Sequence, residues 1–340
     1  MNNGTDRPWS IGVPFMKPTL KTIAIATGFA LTTVSRALAD DPKIALATRH
    51  RVALVAADLG YVPDRAAQRL RTGKTGVISL VLSPHEEIIG FRGSMIAGLT
   101  EAIVGTEYHI AMHPYDRNID PVRPIEHIIR NRLADGLVFS GTEPDDPRAH
   151  LLLQQGFPFI THGRTGIAGH GWSDYDNAGF AAMAVDRLAA RGRRKLALIA
   201  PDPAKTYHQH MVAGFQAAVE ARNLTPVLSN DISLASPPDS IANRVRDWVL
   251  DGVDGVICPG EVAAMAAMAA LTDAGLTDRA SVIGKQTSPV FDQFRPRIDT
   301  IYEDLRAAGR SLGQLLLRRI AGEDAATLCD LQKPAPLFRL

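Results

Sequence analysis

Cysteine is scarce in this sequence, and long hydrophobic runs are absent. The 340 residues include two cysteines, Cys258 and Cys329, which form neither a disulfide framework nor a metal-binding pattern. The apolar runs are too short to span a bilayer, so we expect no membrane contact. The first residues, MNNGTDRPWSIGVPF, lack the charged-then-apolar order of a signal peptide. Together these absences fit a protein of the reducing cytoplasm.

Motifs for cofactors and catalysis are missing as well. The small-residue segments GSMIAG and GEVAAMAAMAALTDAG lack the GK[ST] sequence of a phosphate-binding loop. The sequence HQH at residues 208–210 has no second cluster of ligands, so we expect no metal site. No Ser/His/Asp or Cys/His arrangement has supporting context. The sequence therefore predicts no cofactor and no enzymatic activity.

The net charge of +1 conceals an uneven distribution along the chain. Residues 16–75 hold ten Lys and Arg against four Asp, a net charge of +6, and residues 1–15 are neutral. The remainder of the chain is therefore acidic. A basic N-terminal segment on an acidic body indicates that this segment meets a polyanion. A solvated basic surface is the alternative, and charge by itself does not exclude it.

Three short helical patterns follow one another between residues 19 and 59. Thr19 is a suitable N-cap for the first helix, and Gly28 is a suitable C-cap. The expected inward residues of the second and third helices are Val34, Ala37, Leu38, Val52, Val55, Ala56 and Leu59. The second helix then turns Leu31, Thr32, Ser35 and Arg36 outward. Two helices joined at a glycine, with a third beside them, are typical of a helix-turn-helix.

The hydrophobic pattern of the sequence changes near Gly76. From there, short apolar runs such as GVISLVL, GLVFS and KLALIA alternate with longer helical patterns. This alternation predicts parallel sheets wrapped by helices, arranged as two doubly wound lobes with ligands at the carboxyl ends of the strands. We expect lobe 1 to span about 77–190 plus 303–330 and lobe 2 about 191–302, within an effector domain of 77–340. Residues 1–15 are expected to be a disordered extension, which makes Met16 a candidate start.

The chain from Met16 onward resembles the lactose/galactose repressor (LacI/GalR) family of bacterial transcription regulators. The segments that carry the resemblance are TLKTIAIATG, TTVSRAL and TRHRVALVAADLGYVPDRAAQRLRTGK. The resemblance implies an N-terminal all-α helix-turn-helix DNA-binding domain at 16–62 and a hinge helix and linker at 63–76. It also implies an α/β effector domain of two doubly wound lobes, similar to type I periplasmic sugar-binding proteins.

The resemblance places the second helix in the major groove of DNA. Leu31, Thr32 and Arg36 would reach base edges, because an arginine fork pairs with guanine at a gain of about 1–3 kcal/mol. Thr33 and Ser35 would bind phosphates, or simply lie on a solvated helix face, and Leu31 could instead pack on Phe29. The full set of expected DNA-binding residues is Thr19, Leu31, Thr32, Thr33, Ser35, Arg36, Tyr61, Arg65, Leu70 and Arg71.

The hinge region and the helix caps contain both matches to the family and departures from it. Leu70, between two arginines, matches a leucine that wedges into the minor groove. Asp64 stands where the family usually has asparagine, so a base contact there is not expected. Ala30 and Ala45 replace the usual serine N-caps of the second and third helices. Because alanine is a poor N-cap, we expect each alanine to lower the stability of the helix-turn-helix domain by about 1 kcal/mol.

Positions matched to the family also suggest the ligand-binding residues of the cleft. The expected set is Ser83, His85, Phe91, Arg164, Asp176, Tyr207, His210, Met211, Glu261, Lys285, Gln286 and Glu303. Met211 and Gln286 replace a common arginine and a common aspartate, which weakens the case for an anionic ligand. His210, Arg164 and Lys285 are the candidate replacements for that missing anchor. Carboxylate and amide partners with an aromatic wall favour a neutral sugar or oligosaccharide.

The sequence therefore predicts a cytoplasmic, homodimeric repressor of carbohydrate uptake or catabolism genes. It would bind a palindromic DNA operator and respond to a small sugar-like effector. A sugar-binding protein without a DNA role is one alternative, which the helix-turn-helix and the absent export signal disfavour. The other alternative is a ligand-dependent activator, or a regulator that uses its ligand as a corepressor. The sequence does not show whether the ligand strengthens or weakens DNA binding.

Overall fold

The computed structural model describes residues 17–62, 69, 72–83, 88–113, 120–228 and 231–340. The chain divides into two compact units, Met1–Lys74 and Thr75–Leu340, which we call unit 1 and unit 2. Some of the expected features lie outside the described residues: the extension at 1–15, the helix start at Asp64, and the side chains of Arg65, Leu70, Arg71 and His85.

Unit 1 contains three short helices. They are α1 Leu20–Thr27, α2 Leu31–Leu38 and α3 Leu46–Asp58. Thr19 caps α1 as expected, through a reciprocal capping box with Thr22. Gly28 ends α1 with a φ of 76°, a left-handed conformation that glycine adopts without steric cost. The turn between α1 and α2 therefore depends on this glycine.

The helices of unit 1 enclose a small apolar core. Its buried members are Ile23, Val34, Ala37, Val52 and Ala56. Leu38 and Val55 are partly buried against it, as the helical pattern predicts. The expectation for Leu59 is wrong: α3 ends at Asp58, and Leu59 remains 36% exposed as the C-cap residue.

Unit 2 alternates strands with helices along its whole length. The strands are β1 Val77–Val81, β2 His109–Met112, β3 Gly136–Ser140, β4 Phe159–His162, β5 Gly171–Tyr175, β6 Lys195–Leu198, β7 Thr225–Leu228, β8 Gly255–Cys258, β9 Ser281–Gln286, β10 Asp299–Tyr302, β11 Cys329–Gln332 and β12 Ala335–Leu337. The helices are α4 Phe91–Ile103, α5 Arg123–Arg130, α6 Pro147–Gln154, α7 Asn177–Ala190, α8 Thr206–Ala221, α9 Pro238–Leu250, α10 Glu261–Asp273, α11 Val290–Gln293 and α12 Leu305–Ile320.

These strands form two sheets in the described part of the chain. The first has the order β11-β5-β4-β3-β1-β2, and the second has the order β12-β10-β9-β8-β6-β7. Their pairings are parallel except for β12, which runs antiparallel to β10. Helices cover both faces of each sheet, so each is doubly wound, as the alternation predicts. No helix in the described residues is long and apolar enough to cross a membrane.

The hydrophobic cores assign the helices to the sheets. Helices α4 and α12 cover one face of the first sheet, and α5 and α6 cover the other. Helices α7 and α8 pack on one face of the second sheet, and α9 and α10 on the other. The expected lobe boundary at residue 190 differs from this packing, because Phe180, Ala184 and Leu188 of α7 belong to the second core.

Helices α2 and α3 begin without a side-chain cap. Ala30 and Ala45 both have extended ψ angles, of 147° and 137°, and neither supplies a side-chain acceptor to the first turn. These backbone conformations suit serine, whose hydroxyl accepts a hydrogen bond from the second or third helical N–H.

We therefore predict that Ala30→Ser and Ala45→Ser each stabilise unit 1 by about 1 kcal/mol. The measurement is native-state hydrogen exchange of the α2 and α3 amides in the whole protein. Ala53→Ser, at an exposed position inside α3, is the matched control and should destabilise slightly because serine is a weaker helix former. Equal effects of serine at all three positions would contradict the capping explanation.

Candidate functional site

A cleft of about 540 Å³, partly open to solvent, lies between the two sheets of unit 2. Its lining residues follow or end strands of both sheets, as parallel doubly wound folds require. They are Ile88, Phe91, Gly141, Thr142, His162, Gly163, Asp174, Tyr175, Asn177, Tyr207, Leu234, Pro259, Lys285 and Glu303. The lining combines aromatic walls with a few converging polar groups, which is typical of small-molecule sites.

Lys285 and Glu303 form a buried ion pair in the cleft lining. Lys285 lies near the end of β9, and Glu303 follows β10, so the parallel pairing of these strands brings them together. The ammonium Nζ is 2.8 Å from Glu303 Oε2 and donates to Asn177 Oδ1 at 3.2 Å. It also lies 4.3 Å from the ring centre of Tyr175. Carboxylate, amide and aromatic face therefore stabilise the same charge.

Asp174 and Arg164 form a second charged pair beside the cleft. Arg164 Nε donates to Asp174 Oδ2 at 2.7 Å, and its guanidinium lies 5.5 Å from the ring centre of Trp172. Another Arg164 nitrogen lies 3.2 Å from Nδ1 of His210, on α8 of the other lobe. Burial and the nearby Arg164 charge lower the pKa of His210, against the opposing effect of Asp174. A neutral imidazole can accept the arginine hydrogen bond.

Contacts between the lobes hold the sides of the cleft together. Glu261, at the start of α10, accepts hydrogen bonds from the backbone N–H groups of Thr287, Ser288 and Ile89, the last of which belongs to the first lobe. On the other side of the cleft, Lys205 Nζ forms an ion pair with Glu143 Oε1 at 2.7 Å. The backbone N–H of the next residue, Thr206, donates to the carbonyl of Thr142 at 3.0 Å. Glu261 therefore acts as a structural junction and is absent from the cleft lining.

A buried arginine shapes the loop that carries Gly141 and Thr142. Arg148 donates to both carboxylate oxygens of Asp146 and to the carbonyls of Ser140 and Gly141. Both charged side chains are almost fully buried. Burial raises the pKa of Asp146, but the Arg148 hydrogen bond and charge, with two backbone N–H donors, outweigh burial and hold it below its ordinary value. The loop conformation thus depends on an ionised Asp146.

Four of the expected effector residues line the cleft, and the other described members of that set are absent from its lining, whereas His85 lies outside the described residues. Those lining it are Phe91, Tyr207, Lys285 and Glu303. Arg164 and His210 lie behind Asp174. Ser83 is buried and exchanges hydrogen bonds with Ser140. Asp176 caps α7 through the Gly179 N–H and pairs with Lys333, so it is occupied as a helix cap.

Two expected effector residues face away from the cleft and are corrections. Met211 is fully buried in the core between α7 and α8, because its side chain lies on the sheet-facing side of α8. Gln286 follows Lys285 on β9 and therefore points to the opposite face of the sheet. There its Oε1 accepts from Thr300 and Arg339. Sequence reasoning did not select Tyr175, Asn177 and Thr142 for the lining, although the polar DYDN segment signalled the first two.

Helix α2 of unit 1 exposes, fully or in part, the side chains that the sequence predicts to face outward. Leu31 is 51% exposed, Thr32 is exposed, and Thr33 and Ser35 are half-buried. Arg36 donates through Nε to Asp41 Oδ2 at 2.8 Å, in a pair that is open to solvent. Thr19 is engaged in the cap of α1, and Tyr61 packs at the edge of the core. In the described part of the chain, no cluster of His, Cys, Asp and Glu could hold a metal ion.

We predict that Arg148→Met destabilises unit 2 by about 3–5 kcal/mol, because it leaves Asp146 charged and buried without its counter-charge. Urea unfolding of the whole protein measures this. Arg130→Met, which removes an exposed arginine, is the control and should cost less than about 1 kcal/mol.

The same pair makes a prediction about pH. A lowered pKa means that the stability contributed by Asp146 is complete above the ordinary carboxyl value of 3.8 and is lost as pH falls through the folded-state value. The difference between the native protein and Arg148→Met should therefore be largest near neutral pH and shrink in acid. A difference that stays constant with pH would show that packing, and not charge, carries the effect.

Comparison with known proteins reveals two matching families and several similar chains. Residues 19–64 match bacterial regulatory proteins of the lacI family, and residues 185–339 match periplasmic binding protein-like domains. The HTH-type transcriptional regulator CelR of Thermobifida fusca is 28% identical, over 90% of this chain and 93% of its own.

Two solved structures share the fold at lower identity. The transcriptional regulator CelR–cellobiose complex is 23% identical with a TM-score of 0.69, over 95% of this chain and 99% of its own. The Lac repressor dimer bound to operator and the anti-inducer ONPF is 19% identical with a TM-score of 0.77, over 95% of this chain and 98% of its own. The helix-turn-helix, the two doubly wound sheets and the matching family models agree: the chain joins a lacI-family helix-turn-helix domain to a periplasmic-binding-protein-like domain.

Proposed function

We propose that this protein is a cytoplasmic, homodimeric transcriptional repressor that binds a palindromic DNA operator and responds to a small neutral sugar. Residues 16–62 would read DNA, 63–76 would form the hinge, and 77–340 would bind the effector and dimerise. The proposal assigns no catalytic role to the cleft. The observation that carries it is the exposed face of α2, which projects Leu31, Thr32 and Arg36 from a helix packed by Val34 and Ala37.

The exposed ion pair of Arg36 with Asp41 supports a role for Arg36 in base recognition. Its guanidinium is held by Asp41 in an exposed ion pair, and such pairs contribute little net free energy. Exchanging Asp41 for a guanine edge therefore costs little. Asp41 itself is fixed by the Lys43 N–H, so the carboxylate stays in place when the arginine leaves.

Phosphate contacts would come from the residues around α2. Thr33 and Ser35 are half-buried, which places their hydroxyls near the helix surface without exposing the whole side chain. Thr19 would contact phosphate through its backbone or the free lone pairs of its capping hydroxyl. Arg65, Leu70 and Arg71 remain proposed DNA contacts from the sequence pattern alone.

The cleft supports a sugar as the effector. Hydroxyl groups would meet Asp174, Asn177, Lys285 and Glu303, while Phe91 and Tyr207 would supply the apolar wall. Among the described residues, the charges around the cleft occur as opposite pairs, which give an anionic ligand no excess positive charge to bind. The cellobiose named with the CelR structure is accordingly the first neutral probe.

Fluorescence anisotropy tests the proposed regulator. The whole protein is titrated onto duplex DNA from the region upstream of its own coding sequence, with a shuffled duplex as control. We predict preferential, salt-dependent binding, because phosphate neutralisation releases counterions. Cellobiose, other neutral disaccharides, sugar phosphates and sugar acids are then added. A neutral sugar that weakens binding identifies an inducer, one that strengthens it identifies a corepressor, and equal binding to both duplexes rejects the proposal.

Arg36→Ala should lower the preference for the upstream duplex over the shuffled one by about ten- to a hundredfold. Arg36→Lys is the matched control for charge: it should restore non-specific affinity and salt dependence but not the preference, because lysine lacks the planar fork. The measurement is the ratio of the two dissociation constants at one salt concentration. If Arg36→Ala lowers both affinities equally, the side chain binds phosphate and does not read a base.

A further inference from the structure

The first residues of unit 2 are held by a single carboxylate. Asp135, which precedes β3, accepts a hydrogen bond from the backbone N–H of Thr75 on one oxygen, at 2.8 Å, and from that of Gly76 on the other, at 2.9 Å. The backbone N–H of Asp135 donates to the carbonyl of Val77 at 2.9 Å. Hydrogen bonds to a charged acceptor are roughly twice as strong as those between neutral groups. We call this arrangement of Asp135 with Thr75, Gly76 and Val77 the linker anchor.

The linker anchor also contains a contact to β2 and a glycine in a left-handed conformation. The N–H of His109 donates to the carbonyl of Gly76 at 3.0 Å, and the N–H of Val77 donates to Thr75 Oγ1 at 3.1 Å. Gly76 has a φ of 65°, and a Cβ at this position would lie 3.2 Å from the carbonyl oxygen of Glu107. Residues other than glycine rarely adopt this conformation. The chain therefore enters unit 2 through one well-defined backbone path.

Unit 2 contains the same arrangement a second time. Asp254 precedes β8 and accepts hydrogen bonds from the backbone N–H groups of Arg194 and Lys195, each at 2.8 Å. Its own N–H donates to the carbonyl of Lys195 at 3.0 Å. Asp135 and Asp254 are both half-buried, and each is followed by the glycine that begins the next strand. Holding the start of the neighbouring strand is therefore a structural role that both sheets share.

The two arrangements differ in the chain that leads into them. Lys195 follows α7, whose apolar residues are packed in the core of the second sheet. The linker anchor instead holds the last residues of 63–76, the proposed hinge and linker, and Lys74 just before it is exposed. Asp135 therefore has the structural role of Asp254 and, in addition, decides whether the linker ends in fixed or in free chain.

The linker anchor is continuous with the cleft through a buried strand. β3 runs from Gly136, next to Asp135, to Ser140, and all five of its residues are buried. The next residues, Gly141 and Thr142, line the cleft. Close-packed interiors transmit strain instead of absorbing it. The anchored end of the linker and the cleft loop therefore belong to one rigid part of the first lobe.

We propose that Asp135 is a positioning residue for DNA binding, which ties the end of the linker to the first lobe and so shortens the free chain that carries the DNA-binding domain. The inference rests on the proposed function, because it takes 63–76 as the segment between the DNA-binding and effector domains. Residues that are ordered before binding do not incur the entropy cost of being ordered by it. Releasing Thr75 and Gly76 should therefore weaken DNA binding, although neither belongs to the proposed DNA contacts.

Asp135→Asn in the whole protein tests the linker anchor. Asparagine keeps the shape of the side chain but has one carbonyl oxygen, so its amide nitrogen meets the second backbone N–H donor to donor. Limited trypsin digestion with mass spectrometry measures the anchor directly, because the Lys74–Thr75 bond that trypsin cuts contains the N–H held by Asp135. We expect this cut to be about tenfold faster, since cleavage requires local opening of the chain. By fluorescence anisotropy, the affinity for the upstream duplex should fall about tenfold.

Asp254→Asn is the matched control, because it removes the equivalent hydrogen bonds at the start of β6. It should lower the thermal midpoint of the protein to the same degree as Asp135→Asn and leave both the cut after Lys74 and the DNA affinity at native values. Gly76→Ala is a second variant, which disturbs the linker anchor through the backbone and retains the carboxylate. It should change cleavage and affinity in the same direction, and it carries the same two measurements where Asp135→Asn does not fold.

Three results would overturn the proposal: native cleavage after Lys74 in Asp135→Asn, faster cleavage with unchanged DNA affinity, or an equal loss of affinity in Asp254→Asn. Each of them leaves the proposed regulator intact when the native protein prefers the upstream duplex to the shuffled one. A native protein that binds both duplexes equally rejects the proposed function, and the positioning role falls with it. The native protein alone therefore distinguishes the two failures.

Discussion

The cleft depends on one constraint: the strands of both sheets are parallel, and their carboxyl ends carry the lining side chains. A parallel strand buried on both faces is apolar through its length and becomes polar where it leaves the sheet. In β9 the residues SVIG are followed by Lys285 and Gln286, and β5 ends with Asp174 and Tyr175. The lining side chains therefore come from one edge of each sheet, and two such edges placed opposite each other make a binding site.

The same constraint explains which elements could be predicted. Strands such as β1, β3 and β6 are apolar runs and were predicted from the sequence. Strands β5 and β10 were missed, because Ser173, Asp174, Asp299 and Thr300 are buried polar residues that interrupt any apolar run. Tertiary hydrogen bonds satisfy these groups, and such bonds have no local signature. Helix α9 was also missed, although its buried Ile241, Val245, Trp248 and Val249 have helical spacing.

The candidate site was predictable in backbone position and less so in side-chain direction. Matching positions identified the strand ends, and Phe91, Tyr207, Lys285 and Glu303 do line the cleft. Adjacent strand residues alternate between faces, however, so Lys285 enters the cleft while Gln286 meets the C-terminal segment. Asp176 was misplaced for a different reason: β5 ends at Tyr175, so the next carboxylate becomes the N-cap of α7. One residue at a strand end decides between ligand contact and helix cap.

Stability alone does not explain the charged pairs around the cleft. Replacing a buried ion pair with apolar groups of similar volume is often neutral or stabilising, so these pairs need another explanation. Arg148–Asp146 fixes the loop that bears Thr142, and Arg164–Asp174 reaches His210 on the opposite lobe. The lobes themselves are joined by a few separate bonds, such as Ile89 to Glu261 and Lys205 to Glu143.

Such bonds are individually weak in net free energy, and those at the rim are partly open to water. Two arrangements of the lobes can then differ by only a few kcal/mol, which a ligand contacting both lobes is able to reverse through its differential affinity. A continuous apolar interface between the lobes would hold them in one arrangement too strongly for a small ligand to change. Under the proposed function, polar strand ends would serve recognition and switching through the same side chains.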